Sequence, residues 1–366
     1  MSVHAAPESA AASADRRGAG RNVRVALFSY TAEKNALGRA YSLWLVGREL
    51  GWEVRTVAPK AGSVWAPLAG EARFLADLAA DAASAAAWCD LAVALKPWPG
   101  SLDVALALGR KTGKPVVLDV DDPDWEHRFG TTRGSQLRSF LAGLAKGRPP
   151  VAFYRLRRQA SRLRRVVISN PALAHWYPQG TVVPHARLDR PEGAPHTRET
   201  GIEVAFVGSV RPYKGLEVLR AAVERARDAR LTVTAPPPAD AATHETWTGE
   251  TSLEEGFDLL DRADVVAVPS LDSAYGRAQL PVKLIDAMIS GRAVVASDLP
   301  PIRWALSDTG LLVPPGDGER LARALDSLRS PGLRAELGAS ARARALATFT
   351  PEAVAPLLSE ALRAAA

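Results

Sequence analysis

The chain has 366 residues, of which 47% are hydrophobic and 23% are charged, and its formal net charge is +6. This composition is typical of a soluble globular protein, and the sequence contains no apolar run of about 18 residues that would predict a membrane span. The length is too great for one ordinary hydrophobic core and favours two domains.

The N-terminal residues 1–21 are rich in Ala, Ser, Arg and Gly and lack the apolar segment of a secretory signal. We expect a disordered, solvated tail. The single cysteine, Cys89, cannot form an internal disulfide bond, and we interpret it as a small buried residue of a cytoplasmic protein.

Short apolar segments alternate with helical patterns in the first half of the chain, which predicts an α/β domain with a parallel sheet over residues 22–190. Helices are predicted over Tyr41–Leu50, which Gly51 ends, and over Asp103–Thr112. Residues 31–39 are predicted to form a loop. The predicted strands are Val23–Ser29, Trp52–Ala58, Leu91–Leu95, Val116–Val120, Val166–Ser169 and Thr181–Val183.

The polar segment Asp189–Thr200 contains two prolines and a glycine, and we place an interdomain linker at residues 191–200. A second domain of the same type is predicted over residues 201–347. Its predicted strands are Glu203–Val207, Leu231–Thr234, Val265–Pro269 and Ala293–Ser297. Its predicted helices include Leu253–Arg262, Val282–Ile289, Gly318–Ser327 and Pro331–Ala347, followed by a last helix, Pro351–Ala365.

A cationic turn follows the first strand of the second domain. The apolar run Val204–Val207 ends at Gly208, and a short loop with Arg211 and Lys214 precedes Gly215 and a helix. This strand–turn–helix pattern is typical of phosphate binding at a helix N-terminus. We expect the two cations to neutralise a diphosphate, with Gly208 allowing its close approach.

A second segment, Leu280–Met288, is an amphipathic helix that begins at Pro281 and carries Lys283 and Asp286 near its start. It leads into the apolar strand that ends at Ser297. Lys283 is either a second phosphate cation or an ordinary solvated lysine, and the Asp286 carboxylate could accept hydrogen bonds from sugar hydroxyls.

These segments resemble the donor-binding half of bacterial retaining glycosyltransferases of family 4, which have the GT-B fold. The matching motifs are Arg211–Gly215, the Pro-x-Lys-x-x-acid helix from Pro281, and the loop Gly310–Asp317. The resemblance is clear over residues 200–345 and is mainly one of layout over residues 22–190. It implies two Rossmann-like domains facing a cleft, with the C-terminal helix, 348–366, packing back on the N-terminal domain.

The resemblance also implies sugar transfer from a nucleoside-diphosphate donor, most simply a UDP-sugar, to a hydroxyl of a small molecule or glycolipid, with no metal cofactor. It assigns catalytic roles to Arg211 and Lys214, donor contacts to Gly208, Ser209, Lys283 and Asp286, and acceptor contacts to Gly38 and Arg39. Because the first acid of the family's paired-acid motif is absent, we expect the donor sugar to contact backbone amides from Gly276 to Leu280, with Tyr275, Arg277 or Gln279. From their positions at strand ends we add Lys96 and Asp121 as acceptor contacts and Asp122 as a catalytic group that positions the acceptor hydroxyl. This chain departs from the family at Ser209, where arginine is common, and at Ala278, where the motif's first acid is absent.

Two pairs of residues lie at the ends of successive strands, Lys96-Pro97 and Asp121-Asp122, so both point towards the predicted cleft. Asp119-x-Asp121 also satisfies the metal-binding signature of the other large glycosyltransferase fold, and we interpret this match as a coincidence. Among the histidines, His185 could contact the donor, although a loop role is the simpler interpretation.

A basic zone spans residues 127–165, with eleven Lys and Arg and no Asp or Glu. The spacing of Arg155, Arg158, Arg162 and Arg165 predicts four guanidinium groups on one helix face. This zone is either an ordinary solvated face, a site for an anionic acceptor, or a peripheral contact with the inner face of a membrane. Nucleic acid is disfavoured because stacking aromatic residues are sparse in the zone.

Two alternatives to a glycosyltransferase stay open. One is a nucleotide-sugar epimerase or pseudo-glycosyltransferase on the same fold. The other is a protein that binds anionic polymers or membranes through the basic zone and whose nucleotide pocket is vestigial.

Overall fold

A computed structural model describes residues 23–33, 36–59, 64–146 and 150–363. The predicted N-terminal tail, 1–21, therefore lies outside the described residues. Two separate parallel sheets organise the chain, one of seven strands and one of six. Among the described residues, no helix combines the length and apolar character needed to cross a membrane.

The first sheet has the order β3-β2-β1-β4-β5-β6-β7, so the order reverses between β1 and β4. Its strands are β1 Arg24–Phe28, β2 Glu53–Val57, β3 Leu78–Ala79, β4 Leu91–Leu95, β5 Val116–Val120, β6 Val166–Ile168 and β7 Gly180–Val182. Its helices are α1 Ala36–Glu49, α2 Ala72–Ala76, α3 Ala82–Trp88, α4 Leu102–Thr112, α5 Asp124–Phe129, α6 Arg133–Ala145 and α7 Val151–Ala160. Every described strand pair in it is parallel, as the alternation of strands and helices predicts.

The second sheet has the order β10-β9-β8-β11-β12-β13. Its strands are β8 Ile202–Phe206, β9 Ala229–Val233, β10 Glu245–Trp247, β11 Val265–Val268, β12 Ala293–Ser297 and β13 Leu311–Val313. The helices of this half are α8 Leu216–Arg225, α9 Leu253–Arg262, α10 Val282–Ile289, α11 Pro300–Leu306, α12 Gly318–Ser327 and α13 Pro331–Phe349. Strand β11 is fully buried, because helices cover both faces of the sheet.

The last helix, α14 Pro351–Arg363, leaves the second sheet and packs on the first. Val354, Ala355 and Leu358 are buried in the same apolar core as Leu43 and Val46 of α1. The chain thus crosses between its two halves twice, once through the linker and once before α14, which ties the two sheets together.

The structure corrects two sequence predictions. Helix α1 begins at Ala36, so Gly38 and Arg39 lie inside a helix and not in a loop. Helix α7 ends at Ala160, so Arg162 and Arg165 are not on one helix face with Arg155 and Arg158. The short strands β3, β10 and β13 were not predicted, because two or three residues are too few to show the alternation of a strand.

Candidate functional site

The cationic turn follows β8, as predicted. Gly208 adopts a φ of 104°, and its N–H donates a hydrogen bond to Thr234 Oγ1 at 2.6 Å. Gly215 ends the turn with a φ of 69°, and a Cβ at this position would lie 1.9 Å from the carbonyl oxygen of Pro269. The turn can therefore approach the end of β11 this closely only with glycine.

Lys214 is folded back onto this turn. Its Nζ donates hydrogen bonds to Ser209 O at 2.8 Å and to Ser209 Oγ at 3.0 Å, while Arg211 is exposed. Burial, together with the nearby charge of Arg211, lowers the pKa of Lys214 to about 8. Its ammonium group is therefore easily deprotonated unless an anion lies close by.

Lys283 is the most unusual group of the site. It lies on α10 with 9% of its surface exposed, and its Nζ lies 3.4 Å from the centroid of the Phe206 ring. Within the described part of the chain, this Nζ has no hydrogen-bond partner. Burial and the neighbouring Lys214 hold the pKa of Lys283 well below its usual value. A buried lysine beside another cation loses its proton readily, and a nearby anion would restore its charge.

Asp286 lies one turn further along α10. Its Oδ1 accepts a hydrogen bond from Arg187 Nε at 2.8 Å, and burial raises its pKa. Arg187 belongs to the segment between the two sheets, and the sequence interpretation missed it. The carboxylate thus already holds one partner, and its second oxygen is the one that could take a sugar hydroxyl.

Part of the segment 275–280, which was predicted to contact the donor, instead contacts the first half of the chain. Tyr275 stacks on Tyr213 with 4.5 Å between ring centroids, and its ring lies 4.9 Å from His127. Gln279 Nε2 donates a hydrogen bond to Asp122 Oδ1 at 3.0 Å. The predicted donor contacts Tyr275 and Gln279 therefore reach across to the other half of the chain.

The other three predicted donor residues of this segment make contacts within the second half of the chain. Leu280 is 2% exposed and its side chain belongs to the apolar core, so a donor contact there would use its backbone amide, which is the contact predicted. Arg277 is held at the surface by Asp272, with Nη2 and Oδ2 2.7 Å apart. Gly276 packs against Leu271, whose carbonyl oxygen would lie 2.2 Å from a Cβ there.

Arg39 does not reach the cleft, which corrects the predicted acceptor contact. Its guanidinium group is buried and contacts Asp119 at 2.7 Å, and it donates hydrogen bonds to the carbonyl oxygens of Val183 and Pro184. Gly38 beside it packs against the ring of Trp65. Both residues therefore hold α1, β5 and the segment after β7 together.

Lys96 is also buried, at the centre of three carboxylates. Its Nζ lies 3.0 Å from Asp121, 2.9 Å from Asp122 and 2.6 Å from Asp124. These three aspartates could together hold a metal ion, but the ammonium group of Lys96 occupies the position between them. The sequence predicted Lys96, Asp121 and Asp122 at adjacent strand ends, and the structure brings them into contact.

The two predicted aspartates titrate differently. Burial raises the pKa of Asp121 to about 7. Burial also acts on Asp122, but Lys96 and hydrogen bonds from Lys96, Tyr275 and Gln279 outweigh it and lower the pKa of Asp122. Asp122 is therefore an ionised carboxylate that already accepts several hydrogen bonds, whereas Asp121 can exchange a proton near neutral pH.

Two further polar residues lie at this junction: Asn170, to which the sequence analysis assigned no role, and His185, for which it left a donor contact open. Asn170, directly after β6, donates a hydrogen bond from Nδ2 to the carbonyl oxygen of Ala278 at 2.9 Å. His185 is buried among Arg39, Arg187 and Lys96, and burial lowers its pKa well below the usual value. The position of Asn170 at a strand end is the signal that could have indicated it.

Comparison with known proteins agrees with this arrangement. Residues 201–330 match the family model described as "Glycosyl transferases group 1". The match lies within the predicted second domain, 201–347, and covers less than half of the chain. The prediction of a glycosyltransferase family domain is thus confirmed.

Curated relatives of the family match only part of the chain. A D-inositol 3-phosphate glycosyltransferase of Corynebacterium glutamicum (strain R) is 32% identical over 171 residues, which are 40% of this chain and 39% of the relative. A phosphatidyl-myo-inositol mannosyltransferase of Mycolicibacterium smegmatis is 33% identical over 140 residues, 34% of this chain and 35% of the relative. The matches thus span well under half of these relatives.

Solved structures match almost the whole chain. Anabaena HepE, in complex with UDP and glucose, has a TM-score of 0.66 at 13% identity, and the match covers 93% of this chain and 100% of HepE. Sucrose-phosphate synthase from Thermosynechococcus elongatus has a TM-score of 0.63 at 18% identity, and the match covers 93% of this chain and 98% of the synthase. The predicted GT-B fold is therefore confirmed.

Proposed function

We propose that the chain is a retaining glycosyltransferase that moves a sugar from a nucleoside-diphosphate donor, most simply a UDP-sugar, to a hydroxyl of a small molecule or glycolipid. The observation that carries this proposal is the unpaired ammonium group of Lys283 beside Lys214, at the turn that also presents Arg211. Three cations at one strand end are the complement of a diphosphate.

Among the described residues, no negative charge balances Lys283. Without an anion, the burial of Lys283 and its repulsion by Lys214 both oppose its protonation. A bound pyrophosphate relieves both costs, and the benefit grows as negative charge develops on the leaving group during transfer. Asp286, one turn further along the same helix, is the group that we assign to the hydroxyls of the donor.

The proposed proton transfer uses the departing phosphate. In family 4 enzymes the acceptor hydroxyl is thought to attack the face that the leaving group vacates, and that phosphate helps to take the proton. Asp122 then orients groups rather than acting as a strong base, because Lys96 and Gln279 already hold its oxygens. Asp121, with its raised pKa, is better placed to exchange a hydrogen bond with the acceptor.

We further propose that transfer needs no metal ion. The single ammonium group of Lys96 contacts all three clustered aspartates, and Arg39 pairs with Asp119, so both aspartates of the Asp119-x-Asp121 signature already contact organic cations. Turnover that survives excess EDTA supports this proposal. Full loss of turnover that Mn²⁺ restores would overturn it.

A peripheral membrane contact fits the surface of α6. This helix has no buried residue, and Leu137, Leu141 and Leu144 on one face are 58%, 53% and 47% exposed. They lie inside the basic zone 127–165, and apolar side chains among cations suit an anionic bilayer. Sedimentation with phosphatidylglycerol vesicles should fall strongly for Leu141→Asp, while phosphatidylcholine vesicles bind neither protein. Equal binding of phosphatidylglycerol vesicles by the unaltered protein and Leu141→Asp would contradict this membrane contact.

Calorimetry with UDP, GDP and ADP, followed by the corresponding nucleotide sugars, tests the main proposal. Lys214→Ala should abolish turnover and weaken nucleotide binding by about 100-fold. The matched control is Lys111→Ala, at an exposed lysine of α4, which should change neither. Undiminished turnover in Lys214→Ala would contradict the proposal.

The same panel separates the two alternatives. An epimerase or pseudo-glycosyltransferase would yield product from the donor without any acceptor. A membrane-binding or polymer-binding protein with a vestigial pocket would bind vesicles in a salt-sensitive manner and show no nucleotide affinity. The acceptor panel should include inositol phosphates, since the partial curated relatives carry those names.

A further inference from the structure

A second pocket lies in the first half of the chain, away from the cationic turn. Its volume is about 390 Å³, and all the residues that line it come from 125–176. Three aromatic side chains contribute to its walls: Trp125, Tyr154 and Trp176. None of the donor residues assigned above lines this pocket.

An ion pair forms part of the lining. Arg157 Nη2 donates a hydrogen bond to Glu126 Oε1 at 3.1 Å, and Glu126 is 3% exposed. The second atom of each group, Glu126 Oε2 and Arg157 Nη1, is buried and lacks a hydrogen-bond partner in the described parts of the chain. The lining thus holds one unused acceptor and one unused donor side by side, and both are costly to leave unpaired.

The charges restrict the ligand. Glu126 and Arg157 neutralise each other as an ion pair, so the buried wall offers a ligand no net charge, while Arg158 lies exposed at the rim. A neutral ligand with adjacent hydroxyl groups fits, because each hydroxyl both donates and accepts a hydrogen bond. Aromatic walls with a few polar groups suit the apolar faces of a sugar ring.

We infer that this pocket is a separate binding site for a neutral carbohydrate ring that offers adjacent hydroxyl groups. The ring could be a free saccharide or the head group of a neutral glycolipid, and both present the same chemistry. This inference does not depend on the proposed transferase activity, since it concerns binding to a different set of residues.

Saturation-transfer NMR with methyl α-D-glucopyranoside and methyl α-D-mannopyranoside tests the site on the full chain. We expect binding that Trp176→Ala abolishes and that Arg158→Ala weakens about tenfold, the effect of one lost hydrogen bond to a charged group. Arg155→Ala is the matched control, because Arg155 is exposed on the same helix and does not line the pocket. An unchanged melting temperature establishes that each variant is folded.

A second arm distinguishes the two sources of the ring. Neutral phosphatidylcholine vesicles with and without monoglucosyl diacylglycerol test a lipid-borne ring, with the same three variants. Binding in either arm that requires Trp176 and Arg158 supports the site. Absence of binding in both arms, or equal loss in Arg155→Ala and Arg158→Ala, overturns it.

Discussion

Gln279 and Asp122 are 157 residues apart in the sequence, and Gln279 Nε2 donates a hydrogen bond to Asp122 Oδ1 at 3.0 Å. The hydrogen bond joins the segment before α10 to the end of β5, so it links the two sheets across the cleft. Asn170 reinforces this link through the carbonyl oxygen of Ala278. The carboxylate that Lys96 holds is therefore also a contact between the two halves.

Removing this link should slow turnover without unfolding the chain. We expect Gln279→Ala to lower kcat/KM about tenfold, because one hydrogen bond to an ionised carboxylate is lost. Small-angle scattering should show a larger radius of gyration for the variant. Gln179→Ala is the control, since Gln179 is exposed and donates a hydrogen bond to the carbonyl oxygen of Leu163. Unaltered kinetics in Gln279→Ala would mean that the contact plays no part in closure.

We expect Lys283 to lower the stability of the ligand-free protein and to strengthen nucleotide binding. Replacing a buried, unpartnered ammonium with an apolar side chain of similar length removes a desolvation cost, so Lys283→Met should raise the melting temperature of the ligand-free protein. The same change should weaken nucleotide binding by about 100-fold, because a phosphate cation is lost.

Thermal unfolding with and without UDP measures both effects of Lys283→Met in one experiment. Lys111→Met, at an exposed position, should show neither. A lower melting temperature for the ligand-free Lys283→Met variant would mean that this lysine stabilises the fold, which would contradict its assignment as an anion site.

The pKa of Lys214 predicts how nucleotide binding depends on pH. Because that pKa is about 8 in the ligand-free protein, the ammonium group is lost as the pH rises through that value, and UDP affinity should fall. Lys214→Arg should remove this dependence, since a guanidinium group stays charged. Calorimetry across this range checks the prediction, and a flat profile in the unaltered protein would refute it.

The same shift has a consequence for stability. The pKa of Lys214 in the folded protein lies below the usual lysine value of 10.5, so the unfolded chain binds more protons between about pH 8 and that value. The contribution of Lys214 to the free energy of unfolding should therefore increase as the pH rises through this window, so the folded state becomes more stable. Urea unfolding of the unaltered protein and Lys214→Arg isolates this contribution.

The elements that sequence patterns predicted best are those with local signals. Helices α9 and α12 have the bounds that were predicted, because Ser252 and Asp317 cap them and amphipathic spacing follows. The cationic turn was found for the same reason, since Gly208 and Gly215 mark it within one short stretch. Local chemistry thus indicated these helices and this turn.

The partners of the buried charges could not be predicted in this way. Arg39 pairs with Asp119, 80 residues away, and Arg187 pairs with Asp286, 99 residues away. Nothing in the local sequence distinguishes a buried, paired arginine from one that awaits a ligand. Arg39 was therefore assigned to the acceptor, and the role of Arg187 was missed.

Gly215 offers a test of the turn that is independent of activity. Its φ is 69°, and an added Cβ would lie only 1.9 Å from the Pro269 carbonyl oxygen, which leaves no room for alanine. We expect Gly215→Ala to reduce the free energy of unfolding by at least about 2 kcal/mol, from backbone strain and overpacking together. Urea unfolding measures this loss.

Gly134→Ala is the matched control for this test of the turn. Gly134 lies in α6 with nothing within 4 Å of an added Cβ, so its replacement should be neutral or stabilising by up to about 1 kcal/mol. Equal stabilities of the two variants would show that the turn relaxes away from β11. The proximity of Lys214 and Lys283 would then not be fixed by the fold, and their mutual repulsion could no longer support the proposal that this corner binds an anion.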